Sequence, residues 1–238
     1  MLSREFLVER GYCCGHGCLM CPYEPKHTKG NTNLMGYGNV NKKTLIVCAL
    51  EVETQGQLDD YEVLYTGVGK VNATYKLTQK FGKHGSFVPY DLVINYGTAG
   101  SNKYKQGELV DCTRFAQRDM DATGLDFEMG QTPFDDTPII IETKSDFNPI
   151  GKNGLCGSGD NFMTGLKYAW FKRQIGDIVD MEAYALAKVC NLYDIPFISF
   201  KYMTDGADGD AGIDWKENVG KGIVKFKEKV LDKLPKSL

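Results

Sequence analysis

Short apolar runs of six to eight residues, set between helical patterns, constrain this chain more than any other feature. Thr44–Ala49 (TLIVCA), Asp91–Tyr96 (DLVINY) and Pro196–Met203 (PFISFKYM) have the length and β-branched content of strands buried in a sheet. Tyr61–Tyr65, Gly107–Thr113, Pro138–Glu142, Leu155–Gly157 and Ile178–Val179 are shorter candidates of the same kind. Lys70–Phe81, after the turn Gly67-Val68-Gly69, and Met181–Leu192 carry helical spacing, and Asp160 is placed to cap a helix from Asn161. Near the C-terminus Trp215, Val219, Ile223, Phe226, Val230 and Leu234 recur at three- and four-residue steps. This predicts one amphipathic helix with that stripe in the core, and Asp214 and Glu217 at capping-box spacing. Strands bracketed by helices predict a layered α/β domain.

Composition narrows the function. The chain has 238 residues, enough to bury most of its surface in one core. Lys and Arg number 28 against 31 Asp and Glu, a net charge of −3, and the lysines of the C-terminal segment alternate with acids. A nucleic-acid backbone finds no basic footprint here. No apolar run approaches the ~20 residues that span a bilayer, and the N-terminus has no signal-peptide pattern. A soluble, cytoplasmic protein is expected, with no membrane or nucleic-acid partner.

Three histidines (His16, His27, His84) leave little for His-centred chemistry. Of eight cysteines, Cys13, Cys14, Cys18 and Cys21 lie close together, which is not a secreted disulfide framework. Residues 1–24 form a Cys-rich head, 25–41 a polar Gly/Asn-rich linker, and 42–238 the main domain. Cys14-x₃-Cys18-x₂-Cys21 has the spacing of a radical-SAM cluster loop, but no barrel to surround a cluster follows it. A Zn²⁺ site on Cys13, Cys14, Cys18 and Cys21, with His16 or His27 in reserve, is the expectation carried forward; a thiol-rich tail without metal is its alternative.

Two phosphate motifs fail. Around Gly69-Lys70 a Walker loop needs Gly and Ser/Thr where Leu64 and Val71 stand, and a dinucleotide fingerprint needs Gly at Asn72. What survives is a tight strand-to-helix turn whose amides suit an anionic or hydroxylated ligand. Ser158 is flanked directly by Gly157 and Gly159 and does not make a nucleophile elbow. Acids at element ends remain: Glu51 and Glu53 after the first strand, Asp180 and Glu182 around Met181, and Asp205 after Met203. Ligands of open α/β sheets bind outside the carboxyl ends of strands, so these acids can share a crevice. Taken singly, each also reads as a helix cap or a solvated acid.

Six segments, in order, resemble the 5′-methylthioadenosine/S-adenosylhomocysteine nucleosidases of the nucleoside phosphorylase superfamily. They are Leu45–Glu53, Thr66-Gly67-Val68-Gly69-Lys70, Asn95-Tyr96-Gly97-Thr98-Ala99-Gly100, Ser158-Gly159-Asp160-Asn161-Phe162, Val179-Asp180-Met181-Glu182-Ala183 and Thr204-Asp205-Gly206-Ala207-Asp208. The resemblance implies a three-layer α/β/α sandwich around a mixed twisted sheet and hydrolysis of an adenine nucleoside's N-glycosidic bond, with no cofactor. Glu53 is then the base that activates water, Asp205 the group that protonates the purine, and Glu182 the acceptor of ribose hydroxyls. Met181 packs on the sugar; Thr98, Ala99 and Gly100 lie beside ribose and water; Phe162 stacks on the base, and Met163 offers backbone groups to its edge.

Three departures stand out. Asp180 replaces a glutamate, Lys201 stands where the family often has an arginine that helps hold the water, and about 20 residues join Pro133 to Leu155, too few for the family's helix. Asp121–Pro133 resembles a loop that closes over a neighbouring subunit's 5′ pocket, which implies a homodimer with Leu125, Phe127 and Pro133 as apolar 5′ contacts; a locally packed loop is the alternative. Phosphorolysis, and a nucleoside- or metal-binding module on a degraded scaffold, are the rival functions.

Overall fold

A computed structural model describes residues 7, 10–18, 21, 23, 25–32, 43–83, 88–143, 145–164 and 176–234. The chain forms two compact units, Met1–Lys42 with the last two residues, and Lys43–Lys236.

The larger unit begins with β1 (Thr44–Cys48), the short α1 (Glu51–Thr54), β2 (Val63–Tyr65) and α2 (Lys70–Gly82). Then follow β3 (Leu92–Gly100), β4 (Leu109–Gln117), β5 (Ile140–Glu142), β6 (Gly154–Ser158) and β7 (Ile178–Asp180). It ends with α3 (Ala183–Leu192), β8 (Phe197–Asp205), α4 (Ala211–Asn218) and α5 (Ile223–Lys229). β1 lies parallel between β2 and β3, and β8 runs parallel to β3 and antiparallel to β4. β4 pairs with β5 and β6, β6 pairs with β7, and β7 meets β3 at one pair, Gly100 with Val179. The pairings β3–β8–β4–β6–β7–β3 therefore close a ring within the mixed sheet.

Period-two alternation explains the layers. Leu45 and Val47 of β1 face a core with Ala73, Leu77 and Phe81 of α2 and Leu186 and Cys190 of α3. Ile46 and Cys48 face the opposite core, with Ile223 and Phe226 of α5 and Val230. Strands covered on both faces have to be apolar throughout, which is the pattern read from the sequence.

Two expected helices differ. The C-terminal stripe is two helices, α4 and α5, separated around Gly220 and Gly222, and Asp214 lies inside α4, whose N-cap is Asp210. Val219, Ile223, Phe226 and Val230 are buried as expected, but Trp215 leaves the core stripe. Residues 161–164 are not helical, and the rest of the helix expected from Asn161 lies outside the described residues. Asp160 instead accepts the Lys70 amide at 2.8 Å, so it caps α2 from a distant strand end.

In the smaller unit Leu7, Cys13, Cys21 and Tyr23 are buried, and the Tyr23 hydroxyl donates to the Leu7 carbonyl at 3.0 Å. Residues 25–32 bond back onto the head: Cys13 donates to the Asn31 carbonyl and Gly30 to the Cys13 carbonyl, both at 2.8 Å. The four thiols expected to hold Zn²⁺ lie near one another: Cys13 stands 3.6 Å from Cys21, Cys14 stands 3.4 Å from Cys18, and Cys18 packs against the cluster of Cys13, Cys21 and Tyr23. Among the described residues no three His, Cys, Asp or Glu side chains converge as metal ligands.

Candidate active site

One cavity of about 230 Å³ opens where the strands of the ring and β1 end. Ala49, Leu50 and Glu53 follow β1; Thr98, Ala99 and Gly100 end β3; Arg118 follows β4. Asn161, Phe162 and Met163 follow β6, Val179–Glu182 span the end of β7, and Asp205 ends β8. Every strand of the ring delivers its carboxyl end to this cavity, the position expected for a ligand site in an α/β sheet.

Glu53 is 3 % exposed and held at both oxygens. As the third residue of α1 it accepts the Leu50 amide at 3.0 Å, the reciprocal half of a capping box. Its other oxygen accepts the Thr98 amide at 2.8 Å and the Thr98 hydroxyl at 2.9 Å. The Trp215 indole donates to the Thr98 hydroxyl at 3.0 Å. A relay from α4 through β3 thus aims the carboxylate. A Cβ on Gly97 would stand 3.2 Å from Lys201 Nζ and 3.3 Å from Glu53 Oε1, so a glycine here lets the ammonium and carboxylate approach one face of β3.

Glu182 accepts the Gly69 amide at 2.8 Å. The glycine turn, read from sequence as a possible anion cradle, thus has its amides filled by the chain's own carboxylates, Glu182 and Asp160. Burial and then the charge of Asp180 push the Glu182 carboxyl up to about 8. Asp205 accepts the Thr204 hydroxyl at 2.8 Å and the Ala207 amide at 2.9 Å. Burial outweighs these bonds and raises its pKa.

Asp180, whose charge acts on Glu182, is the hub of a buried network. It accepts the Ser158 hydroxyl at 2.5 Å, the Ala183 amide at 2.9 Å and the Lys201 ammonium at 2.8 Å. Burial opposes both charges, but their attraction prevails, holding Asp180 low and Lys201 high.

The cavity brings together Glu53, Glu182, Asp205, Thr98, Ala99, Gly100, Phe162, Met163 and Met181 from the sequence reading. Lys201 lies just behind the wall, bonded to Asp180. Leu125, Phe127 and Pro133 do not line it in the single chain. Leu125 is exposed, and Phe127 packs edge-on against Phe134 with ring centres 5.6 Å apart.

Sequence reasoning missed Arg118 and Asn161 and placed Trp215 in the core. Arg118 is 2 % exposed and donates to the Asn161 side chain and carbonyl, each at 2.6 Å, fixing the segment that carries Phe162. The sequence offers only an Arg118-Asp119 pair after a strand, which a solvated pair would match equally well.

Comparison with known proteins agrees with this geometry. Residues 53–234 match the Phosphorylase superfamily. The 5′-methylthioadenosine/S-adenosylhomocysteine nucleosidase of Staphylococcus saprophyticus is 32 % identical over 200 residues, 77 % of this chain and 86 % of the relative. That of Haemophilus influenzae is 30 % identical over 189 residues, 74 % and 81 % of the two chains. Among solved structures, the Helicobacter pylori 5′-methylthioadenosine/S-adenosylhomocysteine nucleosidase superposes with a TM-score of 0.71 at 24 % identity, covering 82 % of this chain and 99 % of that one. The Helicobacter pylori futalosine hydrolase does so with 0.71 at 22 %, covering 83 % and 100 %. Both share the mixed α/β fold. By this sequence match and the ordered motifs around one cavity, the chain belongs to the 5′-methylthioadenosine/S-adenosylhomocysteine nucleosidase family of the phosphorylase superfamily.

Proposed function

We infer that this protein hydrolyses the N-glycosidic bond of an adenine nucleoside, methylthioadenosine or S-adenosylhomocysteine above all, and releases adenine. The observation that carries the reading is the burial of Glu53, Glu182 and Asp205 in one cavity, each with its carboxylate fixed by backbone amides. Glycosidic cleavage develops positive charge on the sugar and negative charge on the leaving base. Glu53, aimed by Thr98, takes a proton from water. Lys201 supports that water from behind Gly97. Asp205, favoured in its protonated form by burial, gives a proton to the purine. Glu182 accepts the ribose hydroxyls, and Phe162 covers the base. These steps use side chains and water alone.

Hydrolysis is favoured over phosphorolysis by the charges around the cavity. Glu53, Asp180, Glu182 and Asp205 surround it, while Lys201 is bonded to Asp180 and Arg118 to Asn161. The Glu53 carboxylate would repel a phosphate dianion at this cavity, and the Lys201 charge is already neutralised by Asp180. The exposed apolar side chains Leu125 and Phe134, beside Phe127 and Pro133, support a homodimer in which a second copy's loop covers the 5′ substituent. We assign catalysis to residues 43–236 and treat the head as a separate module.

The test incubates the protein with methylthioadenosine, S-adenosylhomocysteine and adenosine, with and without phosphate, and follows adenine by chromatography. Release without phosphate is expected. Strict dependence on phosphate would replace hydrolysis with phosphorolysis, and no release from any of the three would remove the assignment.

A further inference from the structure

The nucleoside chemistry leaves the N-terminal thiols unused, and they are not equivalent to the other cysteines. Cys48, Cys112, Cys156 and Cys190 are fully buried in the larger unit. In the head, Cys13 and Cys21 are buried as well, whereas Cys14 and Cys18 are partly exposed. Their sulfurs stand 3.4 Å apart. The sequence explains why: Gly15 and Gly17, with φ of +76° and +68°, turn the chain back between them. Cys13 is anchored to Gly30 and Asn31 by two backbone bonds, which holds the start of this turn. The Arg10 cation interacts electrostatically with the Cys14 and Cys18 thiols, and a nearby cation stabilises a thiolate as it forms.

We propose that Cys14 and Cys18 form a thiol–disulfide exchange site for low-molecular-weight disulfides of the glutathione class. Cys14 or Cys18, as thiolate, attacks one sulfur of the small disulfide; that S–S bond breaks and one small thiol leaves. The second cysteine then loses its proton and attacks the mixed disulfide. An intramolecular S–S bond forms, and the second small thiol leaves. Two protein thiols are oxidised, one small disulfide is reduced, and the two protons end on the released thiols. The sulfurs have only about 1.4 Å to close to reach bonding distance, within reach of side-chain rotation. Cys13 and Cys21, although 3.6 Å apart, are shielded from the incoming disulfide by burial.

The test exposes the folded full chain to excess oxidised glutathione, alkylates the remaining thiols and maps the peptides by mass spectrometry. The expected result is a Cys14–Cys18 bridge, with two alkylatable thiols lost and two glutathiones released per chain. In Cys18→Ser the reaction should stop after one step, with a single stable glutathione on Cys14. Cys14 and Cys18 remaining alkylatable would overturn the proposal. So would scattered adducts without a bridge, or stoichiometric zinc in the purified protein that protects all four head thiols. Peptide mapping of the unmutated chain keeps the test valid even if a variant misfolds.

Discussion

Lys201 donates to Asp180 at 2.8 Å with both side chains only 1 % exposed, so the site rests on a fully buried ion pair. Burying two charges costs desolvation, and removing one partner leaves the other uncompensated. Lys201→Met and Asp180→Asn should each lower unfolding free energy by about 3–5 kcal/mol. The double variant should lose less than the sum, because neither charge is then stranded. Urea denaturation of the four proteins checks this; simple additivity would mean that the two side chains do not act as a pair.

Asp205 tests the acid. Its replacement by Asn removes a transferable proton while keeping shape, and turnover should fall ~10²-fold or more. Because burial raises its pKa, unmutated turnover should decline on the alkaline side as the proton is lost. Adenine release across pH measures both, and wild-type turnover in Asp205→Asn would free Asp205 from the role.

Glu182 makes a different pH statement. Its carboxyl is pushed up to about 8 by burial and the Asp180 charge. Ribose hydroxyls donate best to the ionised form, so nucleoside affinity should strengthen as pH rises through about 8, and Glu182→Gln should flatten that rise. Stability runs the other way. A folded pKa above the unfolded value contributes stability that is fully present below about 4.5 and lost as pH rises through about 8. Binding and denaturation series in matched buffers separate the two trends; a pH-independent affinity in the unmutated protein would sink the assignment to ribose.

Gly100 has no room for a side chain. A Cβ there would collide with the Asp205 carboxylate and approach Ala207 Cβ to 3.1 Å. Ala207 already has φ of +54°, which turns its amide toward Asp205. Gly100→Ala should displace Asp205 and cut kcat more than it raises KM, with the circular-dichroism spectrum retained. Unchanged kcat would show that Asp205 tolerates the shift.

The Trp215 indole reaches Glu53 only through Thr98. Trp215→Phe keeps an aromatic ring and removes one donor, a loss of about 1 kcal/mol, or roughly 5-fold in kcat. Steady-state kinetics should show that loss with little change in stability. A purely structural role would instead lower the unfolding midpoint and leave kcat intact.

Much of the catalytic constellation was legible because its residues are punctuation. Glu53, Glu182 and Asp205 stand where apolar strand runs stop, and a local pattern marks such places. Arg118 was hidden because nothing local distinguishes a buried arginine from a solvated one; its burial follows from carbonyls of Gly159, Asn161 and Asp180 more than 40 residues away. Trp215 was misplaced for a related reason. Helical spacing identifies a face, but the break between α4 and α5 turns that face toward Thr98.

By itself the sequence determined the alternation of strands and helices, the two-sided burial of β1, β3 and β8, and the acids at their carboxyl ends. These follow from period and polarity over a few neighbouring residues. Only tertiary structure decided that the ring closes at Gly100 and Val179, that Asp180 pairs with Lys201, and that Cys14 lies against Cys18 and Cys13 against Cys21. Those outcomes depend on which distant backbone or charge reaches a group first once water is excluded, and no local pattern carries that information.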